Sequence, residues 1–163
     1  MGMRIGVIGA GGICDGRTMA AALALGTVGV QMGTRFIATQ ESDFWDVWKR
    51  AVIKSSERDT LVARGMFGPM RFIANAASIK LVENTARLFP DFFKGQPVDL
   101  HPQLIEMERE GFARLIQNDE EGSLILSGEV SGRIQDLPKV KDIIDGIITD
   151  ASETLRSLPG YVV

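Results

Sequence analysis

Two glycine turns near the start of the chain offer the chemistry most easily read from residue types. The first closes an apolar stretch, Arg4 to Ile8, with a turn over Gly9 to Gly12. The second closes Val28 to Met32 with Gly33 and Thr34. Between them lies an Ala-rich stretch, Arg17 to Leu25, that predicts a short helix. Strand, turn, helix, strand, turn presents two strand ends whose backbone N–H groups have little side-chain cover. Glycine lets backbone approach a ligand closely. Unpaired N–H groups at a turn or helix start attract an anion. The simplest ligand for such a paired cradle is a phosphate.

The elements around these turns change character after Phe36. Ser42 and Asp43 are placed to cap an amphipathic helix bearing Phe44, Trp45, Val47, Trp48, Val52 and Ile53. Asp59 to Ala63 reads as extended, and Gly65, Gly68 and Pro69 break the chain. The pattern then predicts a long helix from Arg71 through Leu88, with Ile73, Ala77, Leu81 and Ala86 inward. A Pro/Gly-punctuated connection, Pro90 to Pro102, leads to a helix over Pro102–Gln117. Gly122 to Gly132 is turn-rich around Leu124–Leu126, and Pro138 to Leu158 closes the chain as an amphipathic helix. Strands are scarce: two stand out, both before residue 33, and the residues after them read as mainly helical. Two parallel strands do not cover both faces of a stable sheet, so the pattern implies a piece of a larger barrel or sheet.

Composition narrows the function classes. The chain has 163 residues, 45% hydrophobic and 24% charged, with net charge −3. No basic cluster of the kind that binds nucleic acid is present. A single cysteine, Cys14, rules out an intrachain disulfide and points to a reducing, cytoplasmic setting. The uncharged run Thr18 to Thr34 is short for a membrane span and rich in glycine. No His/Cys/Asp/Glu set has metal-ligand spacing.

The segments Ala10-Gly11-Gly12-Ile13 with Asp15-Gly16-Arg17, and Gly29 through Phe36, resemble the flavin-dependent nitronate monooxygenases, formerly 2-nitropropane dioxygenases. Flavin-type enoyl-acyl-carrier-protein reductases are close relatives of that family. The resemblance continues through Asp59-Thr60-Leu61-Val62, Gly68-Pro69-Met70-Arg71, Asn75, and Ser127 to Gly132 with Asp136, although Glu129 stands where the family often has Gln. It implies an α/β fold, the C-terminal portion of a TIM (β/α)8 barrel with appended helices. Residues 1–55 would form the last two βα units and 56–163 a mainly helical extension packing on the barrel. It implies FMN, with Gly11 and Gly12 on one phosphate loop and Gln31, Met32, Gly33 and Thr34 on the other. Arg35 is free either to supply charge or to point outward. The implied substrate is a small molecule, a nitronate or an enoyl thioester. The resemblance begins at what would be the seventh barrel strand, and His101 does not match the family's catalytic histidine. No catalytic residue is therefore assigned. An N-terminal barrel half, or self-association, is the expected partner. A non-catalytic fragment, or a subunit completed by another chain, is the alternative class.

Other features have plainer readings. Arg4 to Gly12 imitates a Rossmann NAD(P) fingerprint, but Cys14 stands at the third glycine and no ribose-binding acid follows at the expected distance. Cys14 reads as a buried inert thiol, and Trp45 and Trp48 as core packing on one helix face. His101 reads as a loop residue and Asp119-Glu120-Glu121 as a solvated loop. Met66, Phe67 and Met70 fit either a substrate mouth or simple space filling.

Overall fold

The computed structural model describes residues 5–161; Arg4, the expected first residue of the opening strand, lies outside them. Strand β1 spans Ile8–Ala10, helix α1 Gly16–Ala24 and strand β2 Gly29–Gln31. The two strands run parallel, with Ile8 opposite Gly29, Gly9 opposite Val30 and Ala10 opposite Gln31. Pairing thus carries β1 through Gly9 and Ala10, beyond the sequence expectation. The bend begins at Gly11, with φ of +89°, and continues at Gly12, with φ of +73°. Other residues pay roughly 1–2 kcal/mol for that left-handed conformation. Asp15 then starts α1. Its carboxylate accepts the Thr18 N–H at 2.8 Å, and the Thr18 hydroxyl accepts the Asp15 N–H at 3.2 Å.

A single helical turn, α2 (Thr34–Ile37), follows β2, and then comes α3 (Asp46–Lys54). Ser42 and Asp43 do not cap α3. Trp45 precedes its first turn without a side-chain cap, and the Ser42 hydroxyl instead accepts the Phe44 N–H. Val47, Trp48, Ala51 and Val52 of α3 build one core with Leu115, Ile125, Val130 and Ile134. The indole N–H of Trp48 donates to the Leu126 carbonyl at 2.8 Å, so its polar edge is satisfied in that core. Trp45 is 43% exposed and plays no such part.

The expected helix from Arg71 is corrected. Strands β3 (Thr60–Gly65) and β4 (Gly68–Ile73) form an antiparallel hairpin, and α4 begins only at Ala76, ending at Leu88. Gly68, at φ +118°, makes the tight turn possible. Asn75 sets the true helix start, its side chain accepting the Ser78 N–H at 2.9 Å while the Ser78 hydroxyl accepts the Asn75 N–H. The apolar run Leu124–Leu126 lies along β4, where Ile125 accepts from Ile73 N–H at 2.8 Å. The region after residue 55 is mainly helical, with one hairpin, β3–β4, among its helices. Ala63, Phe72, Leu81, Leu104 and Leu124 form its core, against α5 (Pro102–Ile116).

Helix α6 (Val140–Ser157) returns to pack on α1. Gly16 permits that approach, since a side chain there would overlap Asp150 and the backbone of Ala151. Among the described residues the strands make two two-stranded sheets. No helix among them is long and apolar enough to cross a membrane.

Candidate functional site

The register of β1 and β2 brings the two glycine turns side by side. Ala10 lies opposite Gln31 as the last pair, so Gly11–Gly12 and Met32–Gly33 leave adjacent strand ends together. Gly11, Gly12 and Gly33 are exposed, Met32 is half-buried, and Thr34 is buried. A Cβ added at Gly11, Gly12 or Gly33 would meet no atom within 4 Å. Outside the helices and the β1–β2 ladder, no backbone hydrogen bond among the described residues uses the N–H of Gly11, Gly12, Gly33 or Thr34. The loops thus present bare donors over open space, a surface suited to a phosphate. Gly33 has φ of −91°, so at this position the absent side chain matters for room and not for backbone strain. Gln31 is exposed at the end of β2. A cleft of about 570 Å³ opens beside Gly33, lined by Met32, Phe36, Glu41, Asp43 and Phe44 among others.

Arg35 is engaged by Asp136 and Ala38. Its guanidinium donates to the Asp136 carboxylate at 2.6 Å, to the Asp136 carbonyl at 2.9 Å and to the Ala38 carbonyl at 2.8 Å. It is buried and committed to Asp136, which leaves the backbone as the source of positive potential at the loops. Thr34 is held from another direction: its hydroxyl oxygen accepts the Gly128 N–H at 2.8 Å. Gly128 opens a 3₁₀ turn over Glu129–Arg133, and Arg133 at its end donates to the Asp15 carboxylate at 2.5 Å. Burial favours the protonated acid at Asp15, but the bonds from Thr18 and the Arg133 charge outweigh it and hold the carboxyl below its ordinary value.

Asp15 also decides against a dinucleotide site. A Rossmann pyrophosphate sits at the N-terminus of the helix after the first strand. Here the Asp15 carboxylate takes that place.

A family model described as nitronate monooxygenase matches residues 2–150. The chain belongs to the nitronate monooxygenase family. A probable nitronate monooxygenase of Staphylococcus aureus (strain MSSA476) is 30% identical over 152 residues, 93% of this chain and 40% of that protein. The (3aS,4S,5R,7aS)-5-hydroxy-7a-methyl-1-oxo-octahydro-1H-indene-4-carboxyl-CoA dehydrogenase of Rhodococcus jostii (strain RHA1) is 30% identical over 183 residues, covering 94% of this chain and 52% of the relative. FabK from Thermotoga maritima has a similar structure, with a TM-score of 0.82 at 37% identity over 98% of this chain and 48% of that one. A nitroalkane oxidase from Streptomyces ansochromogenes shares the fold, with a TM-score of 0.73 at 24% identity over 96% of this chain and 42% of that one. The chain spans about half the length of these relatives.

The remaining residues of chemical interest sit in structural roles. His101 caps α5, its Nδ1 accepting the Gln103 N–H at 3.2 Å, with its ring edge against Phe89. Cys14 is buried, and burial first, then Asp15, pushes its thiol up from 9.0, keeping it protonated at neutral pH. Phe67 is 88% exposed at the hairpin tip, whereas Met70 packs on the second core. The acidic loop is bound rather than free. Asp119 accepts from Gly122 N–H and Arg114, Glu120 pairs with Lys54, and Glu121 accepts the Ala76 N–H at the start of α4. Arg133 carries no sequence signal; Gly128 and Asp136 are visible only through the resemblance over Ser127 to Gly132 with Asp136.

Proposed function

We propose that this chain supplies the FMN phosphate site of a flavin-dependent oxidoreductase of the nitronate monooxygenase type, as the last part of an α/β barrel. The carrying observation is the pairing of bare N–H groups at Gly11–Gly12 and Gly33–Thr34 across adjacent parallel strand ends. Phosphates bind at the ends of the last two strands in barrels of this kind. Gly11, Gly12 and Gly33 would hold the terminal phosphate through backbone. Thr34, with one lone pair taken by Gly128, keeps its hydroxyl proton free to donate. When bound, FMN supplies the redox chemistry by which an alkyl nitronate and oxygen become a carbonyl compound and nitrite. The chain's own task is to anchor that group and fix its orientation.

A second reading, reduction or oxidation of an acyl thioester, draws on the Rhodococcus relative, whose name specifies a carboxyl-CoA substrate. Enoyl-acyl-carrier-protein reduction belongs to this thioester class. Cofactor identity is tested first. The purified protein should retain FMN in preference to FAD or NAD(P), and riboflavin, which lacks the phosphate, should bind more weakly. Tightly bound NAD(P) without a yellow chromophore would sink the proposal. Turnover of alkyl nitronate against enoyl thioester, assayed in a protein that also carries the remaining barrel strands, then separates the two readings.

A further inference from the structure

We propose that the segment Gly128–Asp136 is a clamp that sets the spacing of the two phosphate loops, with Arg133 as a positioning residue that never touches the cofactor. This rests on the FMN reading and deepens it. Three contacts, all remote in sequence, carry the argument. The Gly128 N–H holds the Thr34 hydroxyl at 2.8 Å on the second loop. Asp136 holds Arg35 at 2.6 Å one residue further on. Arg133 holds Asp15 at 2.5 Å, where the first loop enters α1. The 3₁₀ turn Glu129–Arg133 joins the first and third of these across five residues, so a short rigid piece spans both loops. Apart from the packing of α1 on α6, the loops depend on one short parallel strand pair. Such a pair has little stiffness of its own.

The Gly128 bond has a second consequence. By occupying a lone pair of the Thr34 oxygen, it favours the hydroxyl proton turning toward another acceptor, and the open loop face is where a phosphate oxygen would be. The clamp thus adjusts a donor as well as a distance. Both effects act on the phosphate and leave the rest of a flavin untouched, which gives the test its readout.

The experiment compares dissociation constants for FMN and riboflavin, by fluorescence quenching, in the unaltered protein, Arg133→Ala, Arg133→Lys and Gly128→Pro. Arg133 is exposed, so its replacement removes the ion pair with little effect on folding. Gly128 has φ of −71°, which proline adopts, so the substitution removes the N–H, and its ring also crowds the Thr34 hydroxyl, which lies 3.2 Å from a Cβ built at this position. Arg133→Ala should weaken FMN by about fivefold, the most an exposed ion pair sustains, with riboflavin unchanged. Arg133→Lys should restore most of the loss. Gly128→Pro should weaken FMN at least as much, again with riboflavin unchanged. Amide hydrogen exchange of the Thr18 N–H, bonded to Asp15, and the Gly128 N–H, bonded to Thr34, should accelerate without flavin in Arg133→Ala, which supports the clamp independently of the cofactor. Unchanged FMN affinity in both the alanine and proline variants overturns the clamp while leaving the cofactor reading intact. Equal losses for FMN and riboflavin also overturn it, by showing a general structural role. FMN and riboflavin bound equally by the unaltered protein, or neither bound, overturns the phosphate site and the clamp together.

Discussion

At the scale of single residues, Gly33 carries the sharpest prediction. Its φ of −91° suits any amino acid, and a Cβ there meets nothing within 4 Å. Gly33→Val should therefore leave stability within about 0.5 kcal/mol, as for other substitutions in open space. Its isopropyl group would fill the space above the second loop, so FMN retention should be lost. Thermal melts and flavin stoichiometry measure both halves, and full FMN occupancy in the variant would remove Gly33 from the cradle. Gly11 and Gly12 behave differently, because their positive φ makes any substitution strained as well as obstructive. The loops were legible in the sequence because glycine and small residues at strand ends have few other uses. Arg35 was not. Type and position fitted both a phosphate contact and an outward ion pair, and its partner Asp136 lies 101 residues away. Nothing local distinguishes those cases.

Two contrasting glycines test the packing of the elements. Gly16 faces the backbone of α6, and Gly16→Ala must push α1 and α6 apart. A cost of about 1–3 kcal/mol is expected, as in other overpacked contacts. Gly146, inside α6, has open space around its Cβ position, and Gly146→Ala should stabilise by about 0.4–1 kcal/mol. Urea midpoints moving in the same direction for both variants would contradict this packing. The hairpin offers a test by pH. Glu108 of α5 is 1% exposed, and its Oε2 accepts the Met66 N–H at 2.6 Å beneath the β3–β4 turn. Burial raises its carboxyl above 4.5, although the Met66 bond and the Arg64 charge pull back. The folded protein therefore holds this proton more tightly than the unfolded chain. This contribution to stability is full below pH 4.5 and is lost as pH rises through the higher folded value. Glu108→Gln keeps an acceptor without the charge, so the fall should vanish from urea midpoints measured across that window. The same fall in the variant would show that another group causes it. This hairpin was also the main misreading of the sequence. Ile73, Ala77 and Leu81 recur at helical spacing, but Ile73 belongs to a strand and Leu81 to a helix. The punctuation lay in the polar residues: Gly68 for the turn, and Asn75 with Ser78 for the cap. Both α5 and α6 were legible because their apolar periodicity runs uninterrupted over several turns.

At the scale of the whole molecule, the decisive property is the uncovered surface around β1 and β2. Val7 and Ile8 are 60% and 63% exposed, and Val28 is 70% exposed. Parallel sheets are ordinarily covered on both faces, and an exposed edge invites another strand. We therefore expect the 163-residue chain, purified alone, to associate with itself. Sedimentation should show a concentration-dependent rise in mass that Ile8→Lys with Val28→Lys reduces. A strictly monomeric chain at high concentration would count against the barrel reading. The same exposure bears on activity. A flavin needs its ring walled from water and set against substrate, as well as its phosphate held. On the proposed reading the described loops offer the phosphate part. His101 is engaged as the cap of α5 through Nδ1, and the thiol of Cys14 stays protonated by burial, so neither is poised as a base beside the loops. The isolated chain should consequently bind FMN without catalysing nitronate oxidation. Oxygen uptake and nitrite release, with an alkyl nitronate and added FMN, provide the assay. His101→Ala serves as the control: sustained turnover that this change abolishes would make His101 the base and overturn its assignment as a cap. Turnover that survives the change would overturn the broader claim, because a ring-binding wall would then have to exist among residues that now face water.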